Sequence, residues 1–210
     1  MVNWVQQLND DLAANVEKAR CSLVEIHNGH GGVGAGIIVR DDGFVITNAH
    51  VVGQRGLKVK LPDGRTLPAR LIAYDQVHDL AALTVDARDL QAIELGDSQN
   101  LQPGQWVTSI GHPWGVAGAV TAGTVIGNGA DFPEMQTGGR KFVAASLHMR
   151  PGHSGGPMID SAGKLVGINT LINGPDVGVA IPIEVVKAFL KELGEVQPVR
   201  PLSCAESMLV

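Results

Sequence analysis

The segment GAGIIVRDDGFVITNAHVV, residues 34–52, decides the fold class. It holds two short runs of apolar, mostly β-branched residues, and the Asp-Asp-Gly at 41–43 separates them. An Asp-Gly turn between apolar runs is among the strongest local signals for a β-hairpin. The segment therefore predicts two antiparallel strands, and the second of them delivers His50 at its end.

Similar short runs extend outward from this hairpin in both directions. PDGRT at 62–66 predicts another hairpin within a block that ends near residue 87. A polar stretch then leads to a second block, which begins with WVTSIGH at 106–112 and ends with VGVAIP at 177–182. Strands at regular spacing with turn residues between them predict sandwiches or barrels. We therefore predict an all-β protein built from two Greek-key barrels in contact, with helices only near the two ends.

The predicted boundaries follow from changes in this pattern. They are an N-terminal helix at 1–19, a first barrel at 20–100, a second barrel at 101–182, a C-terminal helix at 183–194 and an irregular tail at 195–210. The first helix is predicted from apolar residues that recur at helical spacing, namely Val5, Leu8, Leu12 and Val16. Pro182 suits the start of the second helix because its φ is fixed near the helical value.

Composition excludes two classes of protein. The 210 residues carry a net charge of −5, and no cluster of Lys and Arg stands out, so we expect no nucleic-acid partner. No apolar run reaches the roughly 18 residues that a membrane span needs, so we expect none. The N-terminus lacks the basic start and apolar run of an export signal. That predicts a cytoplasmic location if Met1 is the native start, and the compartment otherwise stays open.

The segment PGHSGGPMID, residues 151–160, is typical of a loop that carries a serine nucleophile. Gly152, Gly155 and Gly156 remove side chains around Ser154, which lets a substrate carbonyl approach its hydroxyl. The N–H groups of Gly152 and Ser154 could both be directed at one developing oxyanion. An ordinary hairpin turn has the same composition, so the motif needs partners elsewhere in the chain.

His50 and Asp79 are the candidate partners. Taken alone, a histidine at a strand end or an aspartate at a strand start is more often structural. Together with Ser154 they supply a general base, a carboxylate that orients it, and a nucleophile. The order His, Asp, Ser on an all-β background is that of chymotrypsin-like enzymes, whereas an α/β-hydrolase would need alternating helices. The pattern predicts a chymotrypsin-like double barrel with these three residues as its catalytic triad.

The chain resembles the protease domain of the HtrA/Deg family of trypsin-like serine proteases. The resemblance covers about residues 20–193 and is carried by the hairpin at 34–52, HDLAALTVD at 78–86, the segment 95–115 and GINTLI with GVAIPIEVV at 167–186. It implies a cofactor-free endopeptidase that hydrolyses protein substrates, especially unfolded or damaged ones. It also implies the triad named above, Gly152 in the oxyanion loop, and a possible homotrimer.

Three departures from that family are visible. Family members commonly carry a PDZ domain after the protease, and residues 195–210 are too few to form one. They are commonly extracytoplasmic, and the chain as given has no export signal. The residue before the serine is often Asn in the family and is His153 here. Because trypsin-like zymogens place an Asp at that position to pair with a freed N-terminus, this chain must order its oxyanion loop otherwise, and we expect the loops around 129–141 and 171–178 to do so.

Specificity is predicted from the segment Leu147-His148-Met149-Arg150, which holds no acidic residue to receive a cationic side chain. Burying an unpaired Lys or Arg charge there would be costly. Met149, Ile168 and Leu171 could instead line a small apolar pocket that favours Val, Ala or Leu before the cleaved bond. The alternative is an acidic preference, should a protonated His148 enter the pocket.

No metal or cofactor site is predicted. His27 and His30 have no Cys or acidic partner at ligand spacing, and a zinc site needs three or four ligands. The main competing hypothesis is a non-catalytic peptide-binding or chaperone-like module on the same fold, which would use the cleft as a strand acceptor. An esterase is a third possibility. The intact triad favours the endopeptidase.

Overall fold

The computed structural model describes residues 3–29, 33–53, 56–128, 141–174 and 176–194. Within these ranges the helices are α1 (Trp4–Arg20) and α2 (Ile183–Glu192). The strands are β1 (Leu23–His27), β2 (Val33–Arg40), β3 (Phe44–Thr47), β4 (Lys58–Lys60), β5 (Thr66–Asp75), β6 (Leu80–Val85), β7 (Trp106–Gly111), β8 (Ala119–Asn128), β9 (Val143–Ser146), β10 (Pro157–Asp160), β11 (Leu165–Ile172) and β12 (Val177–Pro182). The tail predicted for 195–210 lies outside the described residues.

The strands form two closed antiparallel barrels of six strands each. In the first barrel β1, β2 and β3 are neighbours in chain order, and β4 returns to pair with β1. In the second barrel β7, β8 and β9 are neighbours, and β10 returns to pair with β7. A fourth strand that returns beside the first is the Greek-key pattern. The predicted all-β double barrel is confirmed.

Both predicted Asp-Gly hairpins are present. β2 pairs with β3 around residues 41–43, and β4 pairs with β5 around residues 61–65. Gly43 has a φ of +91°, which side chains other than glycine rarely adopt, and a Cβ at this position would lie 2.2 Å from the Val85 carbonyl oxygen. The first turn therefore requires glycine for its conformation and for its close approach to β6.

The core has three parts, and the largest lies between the barrels. Alternate residues of β2 and β3 point in opposite directions, because side chains alternate along a strand. Ile38 and Val45 fill the first barrel, whereas Ile37 and Ile46 join a cluster with β7, β10, β11, β12 and both helices. Fully burying one such side chain contributes about 1.5–3 kcal/mol. The barrels are therefore joined by a continuous core.

The two helices differ in how they pack. α2 buries Ile183, Val186, Phe189 and Leu190 against this shared cluster. α1 is anchored at its C-terminal end, where Ala19 is buried, and its first turns expose Trp4, Val5 and Leu8. α1 thus leaves an apolar surface uncovered. Neither helix of the described chain is both long and apolar enough to cross a bilayer.

Candidate active site

His50 lies on a short 3₁₀ turn, Ala49–Val51, directly after β3. Its ring Nδ1 lies 2.9 Å and 3.0 Å from the two carboxylate oxygens of Asp79. Its backbone N–H also donates to the Asp79 carboxylate, at 3.0 Å. The imidazole is therefore oriented by the carboxylate through its Nδ1, which leaves Nε2 as the nitrogen that can exchange a proton with a nucleophile.

Asp79 is held in an uncommon conformation immediately before β6. Its φ is +57°, in the left-handed region that Asp and Asn tolerate better than most residues. The Ala49 N–H and the Asn48 side-chain amide both donate to its carbonyl oxygen, at 3.1 Å each. A residue held in a sparsely populated conformation by several hydrogen bonds is typical of functional sites.

The Asp79 carboxylate is ionised at neutral pH. Burial alone would raise its pKa, but hydrogen bonds from the His50 ring, from Thr170 and from the His50 N–H together hold the pKa below its usual value. A carboxylate that stays charged can stabilise the imidazolium that forms during proton transfer.

Thr170 is a site residue that the sequence analysis missed. Its hydroxyl donates to Asp79 Oδ2 at 2.6 Å, and its carbonyl oxygen accepts a hydrogen bond from the Ser154 hydroxyl at 3.5 Å. A β-bulge interrupts the pairing of β11 with β12 between Asn169 and Leu171, at Thr170 itself. Bulges commonly redirect a side chain near an active site. One residue therefore contacts both the carboxylate of the first barrel and the serine of the second.

Ser154 follows a tight turn formed by residues 150–153, here called the oxyanion turn. The His153 N–H donates to the Arg150 carbonyl at 3.0 Å, and Gly152 has a φ of +105°. Proline at the first central position and a positive φ at the second are the type II pattern. The Gly152 carbonyl accepts the His112 N–H, and the Ser154 carbonyl accepts the Ala35 N–H. The N–H groups of Gly152 and Ser154 themselves have no acceptor among the described residues. Both amides are thus available to an oxyanion.

Ser154, the candidate nucleophile, is fixed against the first barrel by close backbone contacts. The Ala35 N–H on β2 donates to the Ser154 carbonyl at 2.9 Å. A Cβ on Gly155 would lie 2.1 Å from the Ala35 carbonyl oxygen and 2.2 Å from Thr47 Oγ1, so only glycine fits there. The glycines after the serine therefore allow the barrels to meet, in addition to leaving space for substrate.

Behind Ser154 lies a buried polar residue, Asn169, which no sequence motif singled out. Asn169 is fully buried on β11, accepts from the Ser109 hydroxyl at 2.8 Å, and donates to the carbonyls of Ile110 and Pro157 at 3.3 and 3.1 Å. Its backbone exchanges hydrogen bonds with Gly155 and Gly156. All of its polar groups are paired, as a buried amide requires.

The predicted pocket residues occupy different environments. His148 is partly exposed, and its Nδ1 lies 2.8 Å from Asp176 on the β11–β12 loop. Met149 is buried within the second barrel, beside Gly178. Ile168 is 0% exposed and belongs to the cluster between the barrels, while Leu171 is 50% exposed. Met149 and Ile168 thus belong to separate parts of the core, whereas His148 and Leu171 are exposed to solvent.

In the part of the chain that the structure describes, no group of three or more His, Cys, Asp or Glu side chains could hold a metal ion. His27 pairs with Glu25 at 2.9 Å, and His30 lies outside the described residues.

In trypsin-like peptidases, one barrel carries a histidine–aspartate pair and the other carries a serine that faces it. The chain belongs to this family, since the family model described as a trypsin-like peptidase domain matches residues 34–168. Its relatives across this domain are HtrA/DegP proteins, which confirms the resemblance found in the sequence.

Two relatives and two solved structures illustrate the similarity. A putative serine protease HhoB of Synechocystis sp. is 36% identical over 77% of this chain and 40% of its own length. A probable periplasmic serine endoprotease, DegP-like, of Hahella chejuensis is 40% identical over 80% of this chain and 36% of its own length. The HtrA-type protease AlgW with a tripeptide is 30% identical, with a TM-score of 0.80 over 88% of this chain and 64% of that one. The serine endoprotease from Yersinia pestis is 28% identical, with a TM-score of 0.78 over 87% of this chain and 66% of that one.

The chain therefore spans 40% or less of the length of these two curated relatives.

Proposed function

We propose that this protein is a serine endopeptidase that works through an acyl-enzyme, with His50 as base, Asp79 as its orienting carboxylate and Ser154 as nucleophile. The observation that carries the proposal is the hydrogen-bonded path across the two barrels, from His50 through Asp79 and Thr170 to Ser154. The Ser154 hydroxyl donates to the Thr170 carbonyl at 3.5 Å and not to His50. A catalytic hydrogen bond is often poorly aligned before substrate binds, and the proposal requires the Ser154 hydroxyl to turn to His50 Nε2 when substrate is present.

In the first half-reaction the Ser154 oxygen attacks the scissile carbonyl while His50 Nε2 takes the hydroxyl proton. The N–H groups of Gly152 and Ser154 stabilise the resulting oxyanion. When the C–N bond breaks, the imidazolium gives its proton to the leaving amine, and an acyl-serine remains. Water, deprotonated by the same His50, then attacks the ester and releases the acid and free Ser154.

The substrate class that fits this cleft is an extended, unfolded polypeptide. β11 pairs with β10 as far as Ile168, so the residues from Thr170 to Ile172 keep an edge to which a further strand can add. Leu171 and Ile172 are exposed on this edge. Relatives named as endoproteases, and structures of AlgW with a tripeptide and a decapeptide, support a protein or peptide substrate for this chain too.

The residue before the cleaved bond is proposed to be Val, Ala or Leu. Segment 147–150 offers an entering side chain no carboxylate, and burying a cation without a partner is costly. The contact between His148 and Asp176 places a negative charge beside this histidine, which argues against the acidic preference. Of the predicted substrate-binding residues, Gly152, His148 and Leu171 remain the proposed contacts with substrate. Met149 and Ile168 are buried in separate parts of the core, and we propose that they support the pocket from behind.

The decisive experiment combines casein hydrolysis with fluorophosphonate labelling of the purified chain. We expect turnover and labelling at Ser154, and the loss of both in Ser154→Ala. The matched control is Ser161→Ala, a serine on the exposed β10–β11 turn, which should keep both. If the unaltered protein binds unfolded casein but neither cleaves it nor reacts, the non-catalytic peptide-binding alternative replaces the endopeptidase.

A homotrimer is proposed for the assembled protein. It rests on the family resemblance and on the apolar side chains that the first turns of α1 expose, Trp4, Val5 and Leu8. Light scattering at working concentration should give three times the mass of one chain, and Trp4→Ser with Leu8→Ser should lower it. A monomer mass for the unaltered protein would refute the trimer.

A further inference from the structure

Two buried histidines outside the proposed triad lie directly behind the oxyanion turn. His153 forms the last residue of the turn and is 3% exposed, and His112 follows β7 and is 7% exposed. Histidine is seldom buried so fully without a hydrogen-bonding reason. The proposed proton transfers use neither ring, so their positions need a separate explanation.

His153 closes the turn with its ring as well as with its backbone. The Arg150 N–H lies 3.1 Å from its Nδ1, and its Nε2 has no partner among the described residues. The Arg150 carbonyl already accepts the His153 N–H at 3.0 Å. His153 Nδ1 also lies 3.1 Å from the Arg150 carbonyl, which is already engaged by the His153 N–H. A neutral ring with its proton on Nε2 directs the Nδ1 lone pair at the Arg150 N–H, and leaving that buried N–H without an acceptor would cost about 1–3 kcal/mol.

His112 uses its ring in the same way and supports the turn from outside. Its Nδ1 accepts the Gly118 N–H at 3.3 Å, and its Nε2 donates to the Val24 carbonyl at 3.1 Å. Its backbone N–H donates to the Gly152 carbonyl at 2.8 Å. A Cβ on Gly152 would lie 2.7 Å from the His112 carbonyl oxygen, so the two backbones are in direct contact.

The charged groups around the pair do not favour a second positive charge. His153 faces His112, and the Arg150 guanidinium lies 6.0 Å from the centre of the Trp114 ring, beside the turn. His112 faces Glu25, Lys60 and His27 of the first barrel, and it lines a cleft with Arg20 of α1. Glu25 is the one carboxylate in this set, and it is already paired with His27 and Lys60.

We propose that the neutral rings of His153 and His112 hold the oxyanion turn in its active shape, and that their protonation releases the turn and switches the peptidase off in acid. Protonation removes the Nδ1 lone pair, so the Arg150 or Gly118 N–H loses its acceptor. It also places a cation beside the other ring in a site with little water. This inference rests on the proposed function, because it assigns these histidines as positioning residues for the same oxyanion.

The direction of the pH effect follows from burial. Burial is the largest cause and lowers the pKa of both His153 and His112. His112 lowers the pKa of His153 further, and Lys60 and His27 lower that of His112. The hydrogen bonds to the Arg150 and Val24 backbones, and Glu25 beside His112, raise these pKa values but do not reverse the shift. A histidine whose pKa is lowered in the ordered state favours the disordered state once pH falls below its unperturbed value of about 6.5. The turn is therefore intact at neutral pH and is lost as the solution becomes more acidic.

The first test is the pH profile of kcat/KM on a peptide substrate. Protonation of His50 alone lowers log kcat/KM by one unit for each unit of pH, and a second inactivating proton makes the slope approach two. We expect the steeper slope in the unaltered protein and a shallower one in His153→Asn, because the asparagine oxygen lies where Nδ1 does and does not titrate. Any slope above one that remains in this variant is assigned to His112. At pH 5, relative to pH 8, His153→Asn should retain about three- to tenfold more activity than the unaltered protein. The control His78→Asn removes an exposed histidine on the turn before β6 and should keep the steeper slope.

His153→Leu separates positioning from simple filling of space. It removes the acceptor and keeps the volume, so kcat at pH 8 should fall about 10- to 100-fold with little change in KM, as expected when an oxyanion donor is misplaced. His153→Asn should restore most of that loss. Equal kcat values for the leucine variant and the unaltered protein would refute the positioning role.

The second test needs no activity. In the Ser154→Ala variant, NMR titration should show His153 and His112 protonating below the unperturbed histidine value of about 6.5, with the Gly152 amide signal changing at the same pH as these rings. An unchanged Gly152 signal across that titration would overturn the switch, even if the peptidase is active. If instead the unaltered protein lacks Ser154-dependent turnover at every pH, the proposed function fails while this titration still tests the switch.

Discussion

The two barrels hold their parts of the candidate site by different means. In the first barrel, hydrogen bonds fix His50 and Asp79. They involve both carboxylate oxygens and the carbonyl of Asp79, and the backbone N–H of His50. In the second barrel, Ser154 is fixed mainly by close backbone approach, which glycines on both sides permit. Removing a polar group should therefore impair catalysis in the first barrel, whereas adding a methyl group should impair stability in the second.

Asp79→Asn provides the largest expected effect and tests the first half of this comparison. Asparagine tolerates the φ of +57° at this position, so the backbone should be kept while the negative charge is lost. We expect kcat to fall by about four orders of magnitude, as for the same change in trypsin, with an unfolding free energy close to that of the unaltered protein. Steady-state kinetics and denaturant unfolding measure the two quantities.

The matched control for that change is Asp75→Asn. Asp75 also pairs with a histidine, His78, but on the exposed turn before β6. Its variant should keep kcat within about threefold, because exposed pairs contribute little. Similar losses in the two variants would show that the charge acts through stability and not through His50.

Gly155→Ala tests the prediction for the second barrel, that an added methyl group impairs stability. The new methyl group would collide with the Ala35 carbonyl and the Thr47 hydroxyl, and the residue would keep a φ of +81°. We expect a loss of about 3 kcal/mol or more in the free energy of unfolding, measured by denaturant titration. Gly104→Ala is the control, because Gly104 has a φ of +89° and open space around it. It should lose about 1–2 kcal/mol from backbone strain alone. Equal losses at the two positions would mean that the contact between the barrels adds nothing.

Thr170→Val tests the residue that contacts both Asp79 of the first barrel and Ser154 of the second. Valine keeps the shape and removes the hydroxyl that donates to Asp79 at 2.6 Å. We expect kcat to fall about tenfold, since a hydrogen bond to a charged group contributes roughly 1.5–3 kcal/mol. The pKa of Asp79 should rise because one of the donors that lowers it is gone. Thr170→Ser should keep both properties, and a serine variant as slow as the valine variant would show that packing, not the hydroxyl, matters.

His148→Ala has the smallest expected effect. It removes the contact with Asp176 at the edge of the proposed pocket, and kcat/KM for cleavage after Val, Ala or Leu should change less than about threefold. Cleavage-site mapping in an unfolded protein measures it. Cuts after Glu or Asp that disappear in this variant would favour the acidic preference, and cuts mainly after Lys or Arg would contradict both hypotheses.

The sequence predicts best those structural features that depend on residues close together in the chain. The Asp-Gly turns at 41–43 and 62–64 predict their hairpins because turn conformation depends on adjacent residues. The barrel class follows from strand spacing together with the resemblance. The candidate triad follows from three residue types whose chemistry is useful only in combination.

The remaining features depend on contacts between distant segments. Thr170 lies in an apolar strand like many other threonines, and only the bulge after Asn169 turns its hydroxyl toward Asp79. The alternation of β11 does not tell which of its faces meets the other barrel, and Ile168 lies on the face that does. The burial of His112 and His153 arises where two separate loops pack together, and no periodic pattern in the sequence reports such packing.

The hydrogen bond from the Ala35 N–H to the Ser154 carbonyl has a consequence for folding. Ala35 belongs to the first barrel and Ser154 to the second, so this bond forms only after two regions far apart in the chain have met. Contacts of such long range are slow to form because the intervening chain must first be ordered. A nascent or half-folded molecule therefore lacks a positioned nucleophile. On the proposed function, peptidase activity would arise only when both barrels are complete, and a partly unfolded copy would be a substrate before it is an enzyme.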